Sequence, residues 1–139
     1  DDKLKMFSHG HSYTGNPLAC SAACASLDLF DRPETKSNIK QLMGFHTSFK
    51  SELEVFDCFE NIRQKGTILA FEVKTEEEDS YFNPIRNKLY DFFLSREVLL
   101  RPLGNTVYLV PPYCITKDEY SIMKKVVLEL GEAIKNQEF

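Results

Sequence analysis

Cys-Phe-Glu-Asn-Ile-Arg-Gln-Lys-Gly-Thr-Ile-Leu-Ala-Phe-Glu-Val-Lys, residues 58–74, is the stretch on which the fold class turns. Lys65-Gly66 at its centre is a turn dipeptide. On its far side Leu69, Phe71 and Val73 fall on one face of an extended chain, and Ile68, Ala70 and Glu72 on the other. The spacing predicts a short strand over Cys58–Gln64 and a second over Thr67–Lys74. A turn this short joins antiparallel strands, because a parallel pair needs a crossover of about a dozen residues or more.

Outward from this pair the hydrophobic period lengthens to that of helices. Upstream, Asn16 as N-cap and Pro17 at the first helical position open a helix over Pro17–Phe30, ending before Arg32-Pro33. A second is predicted over Ser37–Leu53, with Ile39, Leu42, Met43, His46, Phe49 and Leu53 on one face. Downstream, Thr75–Ser80 is acidic and reads as a solvated connection. Asn83-Pro84 starts a helix that ends near Arg96, with Ile85, Leu89, Phe92 and Phe93 as its apolar stripe. Val98–Arg101 is predicted as a short strand cut by Pro102, pairing through a turn at Gly104-Asn105 with a strand over Thr106–Val110. Thr116-Lys117-Asp118-Glu119 is a capping box. The helix it opens runs to about Lys135 and buries Tyr120, Met123, Val127, Leu130 and Ile134. The order predicts an α+β fold: a small antiparallel sheet with helices packed on one face.

The 139 residues suit one core, and the formal net charge of -4 comes without a basic stripe for a nucleic-acid backbone. No apolar run is long enough to span a bilayer, and Asp1–Lys5 is too charged for a leader peptide. Cys20, Cys24, Cys58 and Cys114 show no zinc-like spacing, so no metal site is expected and a reducing, cytoplasmic compartment is inferred. Cys20 and Cys24, four apart on the first helix, are expected to be small buried packing residues. His46, on an apolar helix face, is expected to be a packed, hydrogen-bonded histidine. His9 and His11 have no third ligand nearby, and no nucleophile–base pair suggests hydrolysis.

Two places can carry chemistry. In His9-Gly10-His11-Ser12-Tyr13-Thr14-Gly15-Asn16-Pro17-Leu18-Ala19-Cys20, loop amides, hydroxyls and a helix start come together. That suits an anion such as phosphate, with Ser12 as donor; a connection whose polar residues merely cap the helix is the alternative. Arg101 precedes a proline that biases it toward extended geometry, so its guanidinium has a defined direction. It can clamp a carboxylate, or form a structural ion pair with one of the 21 acidic residues. Tyr108 and Tyr113 flank Pro111-Pro112, where they line a pocket or pack.

The run from His9 to Cys20 resembles a signature of the class III, ornithine-type aminotransferases, fold-type I enzymes that use pyridoxal 5'-phosphate. The segment Leu100–Tyr113, with Arg101-Pro102-Leu103-Gly104 and Tyr108 through Pro111-Pro112-Tyr113, is similar to the branch of that family serving biotin biosynthesis. The resemblance implies amino transfer to 8-amino-7-oxononanoate, giving 7,8-diaminononanoate, with S-adenosylmethionine the usual donor and lysine the donor in some relatives. It implies that Ser12 bonds the cofactor phosphate with the His11 backbone beside it, across the interface of a homodimer. Gly10 would lie against the substrate, and Arg101 would hold its carboxylate. Many members carry Pro-Thr or Ser-Thr at the positions of His11-Ser12; the hydroxyl is kept.

The family's Schiff-base lysine lies upstream of this signature. The expectation is therefore a C-terminal fragment with no catalytic residue of its own, inactive and not retaining the cofactor when alone. Residues 1–15 would end the large domain and form the active-site loop, and residues 16–139 would form the C-terminal small domain. Another class III aminotransferase, of ornithine, acetylornithine or 4-aminobutyrate type, and a free-standing anion-binding module are the alternatives.

Overall fold

In the computed structural model, which describes residues 9–75 and 83–139, the elements run α1 (Pro17–Asp31), α2 (Pro33–Leu53), β1 (Phe59–Lys65), β2 (Ile68–Val73), α3 (Ile85–Leu94), β3 (Thr106–Leu109) and α4 (Lys117–Lys135). The first eight residues, and positions 76–80 of the acidic connection, lie outside the described residues. The chain forms two compact units, Asp1–Lys36 and Ser37–Phe139.

In the first unit α1 begins as the sequence predicts, with the Asn16 carboxamide capping it behind Pro17. It ends at Arg32, whose ψ of 137° is the extended geometry imposed on a residue before proline. α2 then starts at once on Pro33, four residues before the expected Ser37, and the Arg32 carbonyl accepts the Lys36 N–H at 3.2 Å. Proline breaks the path of one helix and opens the next, since at a first helical position its missing N–H costs nothing. A second expectation is also corrected. Cys20 and Cys24 are exposed rather than buried, as α1 has no buried residue: small size alone does not bury a side chain.

In the second unit the strands form an antiparallel sheet in the order β1-β2-β3. Gly66, at φ 57°, makes the turn between β1 and β2. Leu69, Phe71 and Val73 of β2, with Val107 and Leu109 of β3, are buried on one face, as their alternation predicts. Leu42, Phe49 and Leu53 of α2, Leu89 and Phe93 of α3, and Tyr120, Met123, Val126, Val127 and Leu130 of α4 complete that core. The α+β class and the antiparallel sheet with its single fully covered face follow the sequence reading. On the other face Ile68 is exposed, and Glu72 pairs with Arg63 of β1 at 2.7 Å beside a bulge between Glu60 and Arg63.

Val98–Arg101 is not a strand. After α3 the chain reverses through Glu97, at φ 62°, with the Val98 N–H on the Phe93 carbonyl and the Glu97 N–H on the Leu94 carbonyl, a Schellman arrangement. One end of the segment thus gives its amide to a helix cap, and Pro102 at the other end has none to give. The expected hairpin shrinks to one bridge, Leu103 with Thr106, around Gly104-Asn105.

Gly131, buried in α4, makes a sharp test of this packing. A Cβ built there would lie 2.5 Å from the Phe56 ring. Alanine gains up to about 1 kcal/mol of helix propensity over glycine. Overpacking costs about 1–3 kcal/mol, so the clash outweighs that gain. Gly131→Ala should lower the urea midpoint; an unchanged or raised midpoint would show that Phe56 moves aside freely.

Candidate functional site

From His11 to Cys20 the backbone donors can be followed one by one. The His11 N–H donates to Thr14 Oγ1 at 2.8 Å, and the Tyr13 N–H donates to His11 Nδ1 at 3.1 Å. The Thr14 N–H meets the His11 carbonyl at 2.9 Å, closing a four-residue turn, and the Asn16 N–H meets the Tyr13 carbonyl at 3.3 Å. Asn16 Oδ1 accepts from Leu18 and Ala19 at 3.0 and 3.3 Å, and the Asn16 carbonyl accepts from Cys20 at 2.9 Å. Pro17 has no N–H. The helix start, expected to offer free amides to an anion, is thus filled by its own cap.

The Gly15 N–H and Ser12 are what remain without a partner among the described residues. Ser12 sits inside the turn, exposed, and neither its hydroxyl nor its N–H meets a protein partner among the described residues. Two donors of one residue, beside a turn whose other amides are engaged, suit an oxygen of a phosphate group. Gly10 precedes the turn and is exposed, with open space around it apart from Thr14 Oγ1, which would be 3.9 Å from an added Cβ. The site's least legible member is Thr14. Its role depends on its hydroxyl folding back on the His11 N–H, and a threonine in a polar loop does not announce that.

Arg101, in the second unit, stands between two buried residues, Leu100 and Pro102, and is itself exposed. The Arg86 Nε–H on α3 donates to the Pro102 carbonyl at 3.2 Å, which anchors the backbone next to it. No described carboxylate pairs with the Arg101 guanidinium. The structural ion pair weighed above is therefore not formed among the described residues. The arginine is positioned by alternation in a non-strand segment rather than by a ladder. Tyr108 is half-buried on β3, and Tyr113 is exposed beyond Pro112.

His46 is fully buried, as a packed histidine. Nε2 lies 3.1 Å from the Thr67 carbonyl and Nδ1 lies 2.9 Å from Tyr120 Oη. A carbonyl only accepts, so Nε2 carries the proton and the Tyr120 hydroxyl donates to Nδ1. This neutral ring ties α2 to α4 and to the β1–β2 turn. Burial lowers its pKa from 6.5, against the weaker raising effect of the Thr67 carbonyl. Burial, with the charge of Glu52, raises that of Tyr120. The unfolded chain therefore takes up the His46 proton more readily than the folded one. His46's contribution to stability is full above about pH 6.5 and falls as the pH drops below it, by at most about 1.4 kcal/mol per pH unit. Urea unfolding of wild type and His46→Phe at pH 7.5 and 5.5 should show the wild type losing more stability on acidification; equal losses would refute the assignment.

Comparison with known proteins gives the family of the chain. Residues 2–128 match the aminotransferase class-III family. The adenosylmethionine-8-amino-7-oxononanoate aminotransferase of Helicobacter pylori is 38% identical over 138 residues, covering 96% of this chain and 30% of the relative. The enzyme of the same name from Synechococcus elongatus is 35% identical over 128 residues, covering 92% and 30%. The crystal structure of the Methanocaldococcus jannaschii enzyme superimposes with a TM-score of 0.76 at 30% identity, covering 94% of this chain and 30% of that one. The chain thus spans about 30% of the length of the curated relatives it matches. With most of its length matched by the family and its fold shared with a solved member, the chain belongs to the class III aminotransferases.

Proposed function

We propose that this chain supplies the cofactor-phosphate contact and the substrate-carboxylate contact of a pyridoxal-phosphate-dependent aminotransferase. Its reaction would be the amination of 8-amino-7-oxononanoate to 7,8-diaminononanoate in biotin biosynthesis, with S-adenosylmethionine as amino donor. The observation that carries this reading is Ser12, whose hydroxyl and N–H have no protein partner among the described residues, inside a closed turn. These donors fit the phosphate of the cofactor, with the His11 backbone beside them. The cofactor, when bound, supplies the electron sink for amino transfer, and the protein supplies orientation and charge.

Arg101 would receive the substrate carboxylate through two parallel hydrogen bonds, and its lack of a described carboxylate partner leaves it able to do so. Gly10, without a side chain, would let the substrate approach the loop. The loop is proposed to serve the cofactor of the neighbouring subunit in a homodimer. The exposed small-residue face of α1 suits close packing in such an assembly. Four free cysteines fit a reducing, cytoplasmic setting, and no helix among the described residues is long and apolar enough to cross a membrane.

Ser12→Ala in the intact protein tests the reading. A hydrogen bond to a charged group is worth about 1.5–3 kcal/mol, so cofactor affinity should fall about 10- to 100-fold by absorbance titration. Pyridoxal, which lacks the phosphate, should bind the variant as it binds wild type. Unchanged affinity for pyridoxal 5'-phosphate would remove Ser12 from the phosphate site.

A further inference from the structure

We propose that the Thr14 hydroxyl and the His11 imidazole are positioning residues which lock the turn that presents Ser12, an inference that rests on the phosphate reading of Ser12. Each of them removes one backbone donor from competition. Thr14 Oγ1 takes the His11 N–H at 2.8 Å, and His11 Nδ1 takes the Tyr13 N–H at 3.1 Å. These are the amides on either side of Ser12. With both engaged, and the Thr14 N–H closing the turn on the His11 carbonyl, the Ser12 N–H is the amide left over within residues 11–14. The turn thus leaves one amide and one hydroxyl, from the same residue, for the phosphate.

Nδ1 accepts a hydrogen bond, so the neutral His11 ring carries its proton on Nε2. The ring acts here as asparagine acts in an Asx turn, where Oδ1 accepts the amide two residues further on. Thr14 works in the opposite direction along the chain, accepting from three residues back. Without these acceptors the turn keeps only its Thr14-to-His11 backbone bond. The loop would then populate conformers in which the Ser12 donors diverge, and binding would have to select the competent one.

The test is a titration of the intact apoprotein with pyridoxal 5'-phosphate and, separately, with pyridoxal. Thr14→Val removes the acceptor at nearly constant volume, and Thr14→Ser restores it. His11→Leu removes the other, and His11→Asn restores it. The losses expected for Thr14→Val and His11→Leu are about three- to tenfold in affinity for pyridoxal 5'-phosphate, with pyridoxal affinity unchanged. The Ser and Asn variants should return to near the wild-type value. Wild-type affinity in Thr14→Val, an equal loss for both ligands, or no rescue would each overturn the positioning role. Ser12→Ala, titrated in parallel, separates the two ideas. If it binds pyridoxal 5'-phosphate normally, the phosphate reading itself fails. If it loses affinity while Thr14→Val does not, only the lock is wrong.

Discussion

Arg101→Ala in the intact enzyme is expected to lower kcat/KM for 8-amino-7-oxononanoate by about 10²- to 10³-fold while the amino-donor half-reaction proceeds. The estimate follows from chemistry and placement. Truncating one partner of a buried, hydrogen-bonded charge pair, as the bound substrate carboxylate would make with Arg101, costs about 2–5 kcal/mol, much of it from leaving the other charge unpaired. Arg101 has neighbours that hold it in place, Leu100 and Pro102 being buried on either side, and no described carboxylate competes for it. Arg101→Lys should recover only part of the loss, since an ammonium keeps the charge but cannot make the two-pronged contact. Stopped-flow measurement of the two half-reactions separates the possibilities. Equal loss in both would make Arg101 a structural residue. No loss in either would remove the carboxylate role, and with it the ground for preferring this substrate over ornithine, acetylornithine or 4-aminobutyrate.

Phe71→Ala should be the most damaging single change to the fold, costing about 3–5 kcal/mol. Phe71 lies on β2, the middle strand of the sheet, and is fully buried with its ring 4.7 Å from that of Phe59. Neither edge of a central strand is free to relax into solvent, so the cavity left by the ring stays largely open. A domain is stable by only about 5–15 kcal/mol, so this change removes a large share. Urea unfolding should show a much lower midpoint with little change in slope. A loss below about 1 kcal/mol would mean that the sheet face is not the core.

Most of what was legible in the sequence rests on short-range chemistry. The Thr116–Glu119 box forms as read, with the Glu119 N–H on Thr116 Oγ1 at 3.2 Å and the Thr116 N–H on the Glu119 carboxylate at 2.8 Å. The Asn16 cap and the Gly66 turn are local in the same sense, and the alternation along β2 needs only a covered face to declare itself. The misreadings share one cause. Val98–Arg101 has the residues of a strand, but the competing use of its amides depends on how α3 ends. Cys20 and Cys24 have the size of buried residues, but burial depends on a neighbour that a helix cannot name. In the candidate site, Ser12 and Arg101 could be singled out by residue type and context. That Thr14 and His11 engage the amides flanking Ser12 could not.

By itself, then, the sequence determined the α+β class, most of the helices and strands and their apolar faces, and it singled out Ser12 and Arg101 as candidates. Those properties follow from backbone preference, periodicity and side-chain chemistry within a few residues. Only the tertiary structure decided which acceptor orients His46 and which extended segment becomes a strand. Each of these depends on partners brought together by folding: Thr67, Tyr120 and His46 meet although 21 to 74 positions separate the histidine from the other two.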